Sequence, residues 1–147
     1  MKEISNRRAF YDYEILEKFE AGIALIGCEV KSLRAGNAQL KSSYAVLIHE
    51  ELWLLGAHID PYKEGAHENT DPERKRKLLV HRHELNKWLG KIQEKGLNLI
   101  PLRMYFKKHL VKVELGLCRS KKLHDKREKI KERETNRSIR QEMMRRS

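Results

Sequence analysis

MYFKKHLVKVELGL, residues 104–117, alternates apolar and polar side chains on both sides of a short polar break. Met104 and Phe106 precede Lys107-Lys108-His109, and Val111, Val113, Leu115 and Leu117 follow it at every second position. Successive side chains of a strand point to opposite faces, so this period of two predicts two strands joined by a polar turn, each with one buried face. The period recurs upstream. Tyr11, Tyr13 and Ile15 alternate with Asp12 and Glu14, and Ile23, Leu25 and Val30 continue beyond Gly22, which predicts a hairpin at that glycine. Residues 44–48 and 52–55 predict a second strand pair across His49-Glu50-Glu51.

One segment has a different period. Leu85, Trp88, Leu89 and Ile92 fall at i, i+3, i+4 and i+7, which predicts a helix over 83–95 with Gly96 as its C-terminal stop. Val30 to Arg34 reads as a short helical turn ended by Gly36, and Thr70-Asp71-Pro72 as a turn or helix start. Leu78-Leu79-Val80 is too short to assign by period. The stretch 60–77, with Pro61, Gly65 and Pro72, is expected to be the mobile loop of the body. Six or more short strands, few helices and no βαβ rhythm predict a mainly β fold: a closed antiparallel barrel of the oligonucleotide-binding (OB) type with one to three short flanking helices.

Charge divides the chain differently from hydrophobicity. Residues 119–147 hold twelve Lys or Arg against five Asp or Glu, and so carry +7 of the chain's net +11. They contain no Gly, Pro, Phe, Trp or Tyr, and their only large apolar side chains are Leu123, Ile130, Ile139, Met143 and Met144. The expected organisation is therefore a barrel domain, 1–118, and a basic tail, 119–147. Ordering a residue costs roughly 1 to 2 kcal/mol of backbone entropy, and so few apolar groups do not offset that over 29 positions. Asp125 with Lys129 and Glu128 with Lys131 supply helical pairs of only about 0.2 to 0.5 kcal/mol each. A helix completed on a polyanionic partner is the expectation, because each Lys or Arg set on a phosphate releases counterions.

Other classes find less support. No stretch approaches the length of an apolar membrane span, and Met1-Lys2-Glu3 does not open a signal peptide, so a cytoplasmic protein with no membrane role is expected. Cys28 and Cys118 fit buried thiols of a reducing compartment. There is no Gly-rich phosphate loop, CxxC pair or nucleophile elbow, and the alternating acids Asp12, Glu14, Glu17 and Glu20 suit a solvated strand face better than acid/base work. His58, His67, His81 and His83 lack the spacing of a metal site. Neither cofactor, metal, catalytic residue nor small-molecule substrate is expected.

Three blocks carry a more specific signal. FEAGIALIGCEVKSLRAGNAQLKSSY (residues 19–44), HIDPYKEGAHENTDPERKRKLLVHRHEL (58–85) and SKKLHDKREKIKERE (120–134) stand in an order and spacing that resembles the bacterial small protein B family, the SsrA-binding proteins. The resemblance implies a non-enzymatic RNA-binding adaptor of trans-translation. Its OB-type barrel would bind the tRNA-like domain of transfer-messenger RNA (tmRNA), and its tail, disordered when free, would become helical in the empty messenger channel of a stalled ribosome. The family's RNA-facing cluster falls on Glu20, Leu79 and His81. A carboxylate can accept from a guanine edge and an imidazole can stack on a splayed base, whereas an apolar Leu79 would ordinarily be buried.

Lys31, Arg34 and Lys77 are added as phosphate contacts on charge alone. In the tail the family motif falls on Lys121, Lys122, His124, Asp125, Lys126 and Arg127, and Ile139 with Met143, four apart, can form an apolar contact near the end. Ser120 and His124 replace the family's usual Gly and frequent Tyr, and Gln39 and Ser43 stand where Asn and Asp are more familiar. A general ribosome-associated RNA-binding or RNA-chaperone protein is the alternative reading, and an RNA-processing enzyme using the histidines a third.

Overall fold

A computed structural model describes residues 3–62 and 71–121. Within them the elements run β1 (Ile4–Ser5), α1 (Arg7–Asp12), β2 (Tyr13–Ile23), α2 (Gly27–Arg34), β3 (Ala38–Gln39), β4 (Tyr44–Ile48), β5 (Glu51–Leu55), β6 (His58–Ile59), β7 (Arg76–Leu79), α3 (Arg82–Lys95), β8 (Asn98–Lys107) and β9 (Leu110–Ser120). Strands pair in the order β1-β8-β4-β5-β7-β2-β9, and β9 pairs back onto β8, so β8, β4, β5, β7, β2 and β9 close into an antiparallel barrel. Closure leaves no long unpaired edge in the ring. The expected mainly β barrel with short flanking helices is present.

The strands expected on either side of Lys107-Lys108-His109 are β8 and β9. Met104, Val111, Val113, Leu115 and Leu117 are buried in the barrel core, as their alternation requires. The expected second pair is β4 and β5, joined by His49 and Glu50, both with positive φ (49° and 64°). That left-handed pair matches the twist of a two-residue hairpin. Helix α3 buries Leu85 and Trp88, half-buries Leu89 and Ile92, and ends at Gly96 in the left-handed conformation (φ 62°). The Trp88 ring stacks on Phe19 of β2, with centroids 3.3 Å apart.

Gly22 corrects the expected hairpin. It lies inside the unbroken 11-residue β2, where it pairs with Leu79 on one side and Lys112 on the other. Alternation continues through a glycine as readily as it reverses at one, so the period alone does not separate the two. Tyr11 and Asp12 are helical rather than extended, because Asn6 caps α1: its Oδ1 accepts from the Ala9 N–H at 3.3 Å. Register irregularities between Ile15 and Glu17 and between Pro101 and Arg103 then rotate both long strands. Tyr13, Ile15, Ile100, Leu102 and Cys118 pack with Ala9 of α1 outside the barrel, whereas Phe19, Ala21, Leu99 and Met104 face its interior.

The unassigned Leu78 and Leu79 belong to β7, which also takes Arg76 and Lys77 out of the expected 60–77 loop. Residues 63–70 of that loop lie outside the described residues, as does Thr70 of the expected turn. Asp71 does form a turn, its carboxylate accepting from the Glu73 N–H at 2.9 Å and its carbonyl from Arg74 at 3.0 Å. The barrel also runs past Cys118. Arg119 and Ser120 pair with Glu14 and Tyr13, and the Lys121 N–H donates to the Asp12 carbonyl at 3.0 Å. Ser120 is therefore extended strand, a conformation that needs no glycine.

Candidate nucleic-acid interface

Register brings the cluster together. Gly22 opposite Leu79 and Ile23 opposite Leu78 make β2 and β7 antiparallel neighbours, and Glu20 shares the outward face of β2 with Gly22. His81 follows two residues beyond the end of β7. Leu79 is 51% exposed, so the burial ordinary for leucine does not apply here. A Cβ at Gly22 would lie 3.2 Å from Leu79 Cβ, so the glycine leaves room for leucine to lie across β2. His81 is exposed at the N-cap of α3, and its ring stacks with His83 at 5.8 Å between centroids. Among the described residues no cluster of three or more His, Cys, Asp or Glu is arranged to hold a metal.

Glu20 is held from two sides. The Tyr105 hydroxyl donates to one carboxylate oxygen, and Lys107 Nζ lies 3.3 Å from the other. The Tyr105 bond, followed by the lysines at 107 and 112, outweighs partial desolvation and holds the Glu20 carboxyl below its ordinary pKa. It therefore stays an ionised acceptor at neutral pH. These three partners were absent from the sequence reading of the site. The signal for them was present in β8 and β9, where inward Met104 and Phe106, and inward Val111 and Val113, oblige Tyr105, Lys107 and Lys112 to face outward.

The cations assigned on charge alone fall in different places. Lys77 lies on β7 opposite Trp53 and forms an ion pair with Glu51 at 3.5 Å, on the face that Leu79 shares. Lys31 and Arg34 are exposed on α2, over the rings of Tyr62 (5.3 Å) and Phe106 (5.8 Å). No described contact links those two to Glu20. In the tail, Lys121 Nζ reaches the Phe10 carbonyl at 3.3 Å; Lys122, His124, Asp125, Lys126, Arg127, Ile139 and Met143 lie outside the described residues.

A buried ion cluster positions α2 and β7 behind this face. Glu29 Oε1 accepts from Arg74 at 2.6 Å and from the Ile26 N–H at 3.1 Å, while Glu29 Oε2 accepts from Arg76 Nε at 2.7 Å. Arg76 also donates to the carbonyls of Ala57 and Pro72, each at 2.8 Å. Both Glu29 and Arg76 are buried, and sequence reasoning missed them because neither has a period or motif that marks a buried charge. No described helix is long and apolar enough to cross a membrane.

Known proteins are similar to most of this chain. An SsrA-binding protein of Syntrophobacter fumaroxidans is 58% identical over 91% of this chain and 83% of its own. That of Geobacter metallireducens is 51% identical over 97% of this chain and 94% of its own. A chain of the solved structure "tmRNA-SmpB: a journey to the center of the bacterial ribosome" is 53% identical, superposes with a TM-score of 0.70, and matches 84% of this chain and 87% of that one. The family model described as SmpB protein matches residues 3–145, and this chain belongs to that family.

Proposed function

We propose that the protein is an RNA-binding adaptor of trans-translation. Its barrel binds the tRNA-like domain of tmRNA and supports delivery of that RNA to stalled ribosomes, and its basic tail enters the empty messenger channel. Exposed Leu79, opposite Gly22 on the outward face that Glu20 shares and two residues before His81, is the observation that carries the reading. An apolar side chain kept in solvent beside an ionised acceptor and an imidazole suits a base presented edge and face together, which RNA loops offer and a regular helix does not. Lys77 adds phosphate attraction on the same face, and Lys31 and Arg34 add it from α2. The chemistry is recognition without turnover, in the cytoplasm. The SsrA-binding relatives and the tmRNA-SmpB neighbour support the choice of RNA and of the ribosome as partners.

Binding to the tRNA-like domain, compared with an unrelated folded RNA at about 50 and 200 mM salt, tests the assignment. Preference for the tRNA-like domain should persist at the higher salt. Leu79→Ala should weaken that binding about fivefold, the worth of re-burying half a leucine, with little change in stability. Equal affinity for both RNAs, lost steeply with salt, would instead identify a general RNA chaperone.

A further inference from the structure

We propose that Tyr105 is the positioning residue for Glu20: its hydroxyl fixes the carboxylate so that the remaining lone pairs accept from a base edge of the RNA. The inference rests on the RNA-binding reading of Glu20. Tyr105 lies opposite Lys112 on β9, Lys112 opposite Gly22 on β2, and Gly22 opposite Leu79 on β7, so tyrosine and leucine share one row across four strands. The Glu20 side chain is 35% exposed, and an unheld glutamate there would sample many rotamers. The phenol is instead a stiff donor. Arg103 lies over its ring at 5.2 Å, and Arg103 is itself held by Glu114 at 2.5 Å and Glu3 at 3.0 Å.

The protonation states agree with the geometry. Burial, followed by the neighbouring Glu20, pushes Tyr105 up to about 12, so it remains a donor wherever RNA is bound. An ionised carboxylate offers about four acceptor sites. Tyr105 occupies one and Lys107 approaches another, which leaves acceptors for an RNA amino or imino group. A phosphate would be repelled at the same point. Glu20 thus selects a donor edge on a surface whose lysines attract backbone without selection, and Tyr105 sets where that edge must sit.

The test uses the full chain, a transcript of the tRNA-like domain and an unrelated folded RNA. Tyr105→Phe should weaken binding to the tRNA-like domain roughly 2- to 12-fold, the range for a side chain that binding must then immobilise. It should leave the unrelated RNA and the salt slope unchanged, because no charge is removed. In a Glu20→Gln background the Tyr105→Phe effect should shrink, since the two act as one unit. Equal losses for both RNAs, or the same loss in both backgrounds, would overturn the proposal and leave Tyr105 a structural residue. If Glu20→Gln weakens binding and Tyr105→Phe does not, the positioning role alone fails. If Glu20→Gln has no effect while selective binding persists, both this role and the reading of Glu20 fail.

Discussion

Glu29 and Arg76, 47 residues apart and both buried, meet at 2.7 Å between α2 and β7. Burial alone would raise the Glu29 pKa. Hydrogen bonds from Arg74, the Ile26 N–H and Arg76 reverse that and hold it below its ordinary value of 4.5. The carboxyl is thus more acidic folded than unfolded, so its contribution to stability is full above about pH 4.5 and disappears as pH falls through the lower folded value. Urea midpoints measured from neutral to acid pH should therefore fall less steeply for Glu29→Gln than for the parent chain. Arg76→Met should cost about 3 to 5 kcal/mol at neutral pH, because it leaves a buried carboxylate with only Arg74 as cation. A loss under about 1 kcal/mol would mean that water, not Arg76, solvates Glu29.

Among the elements, hairpins and one helix were legible from period, and the irregular positions were not. The β4–β5 turn holds His49 and Glu50 at φ 49° and 64°, a conformation that costs a side chain about 1 to 2 kcal/mol. His49→Asn with Glu50→Gly should raise the unfolding free energy by roughly 1 kcal/mol in denaturant melts, since the exposed Glu50–Arg82 pair that is lost contributes little. At Leu16 the period misled: the register irregularity beside it turns Tyr13 and Ile15 to α1 and Phe19 and Ala21 to the barrel, although all four fall on odd positions. Gly22 misled in the opposite sense. It pairs as strand one residue before the end of β2, close enough to Leu79 that a Cβ there would lie 3.2 Å from the leucine Cβ, and the chain does not turn at it. Of the candidate site, Glu20, Leu79 and His81 came from a family resemblance, and Tyr105, Lys107 and Lys112 came from strand pairing.

At the scale of the whole molecule, β9 continues past Cys118 to Ser120. Arg119 and Ser120 complete the β2–β9 ladder, and Arg119 pairs with Glu14 at 2.9 Å. A chain ending after Lys121 should keep the barrel's melting temperature and its binding to the tRNA-like domain. It sheds ten Lys or Arg against five Asp or Glu, so its binding to bulk ribosomal RNA should weaken and depend less on salt. Rescue of stalled ribosomes should be lost. A footprint of both chains on tmRNA checks the first outcome, and a rescue assay the last. A chain ending after Cys118 should be less stable, because it removes the last ladder bonds and the Lys121 N–H bond to Asp12.

The sequence by itself determined the mainly β class, the α3 helix, the apolar positions of β8 and β9 and the segregation of charge into residues 119–147. Each of these is local: period, propensity and composition act between residues a few positions apart. Only the tertiary structure decided the strand order, the placement of Tyr105 against Glu20, the exposure of Leu79 over Gly22, and the burial of Glu29 with Arg76. Those features join residues 47 to 85 positions apart in the cases of Glu29–Arg76 and Glu20–Tyr105. Barrel closure brings such pairs together, and no local pattern encodes which distant side chain will answer a buried charge or hold an exposed one.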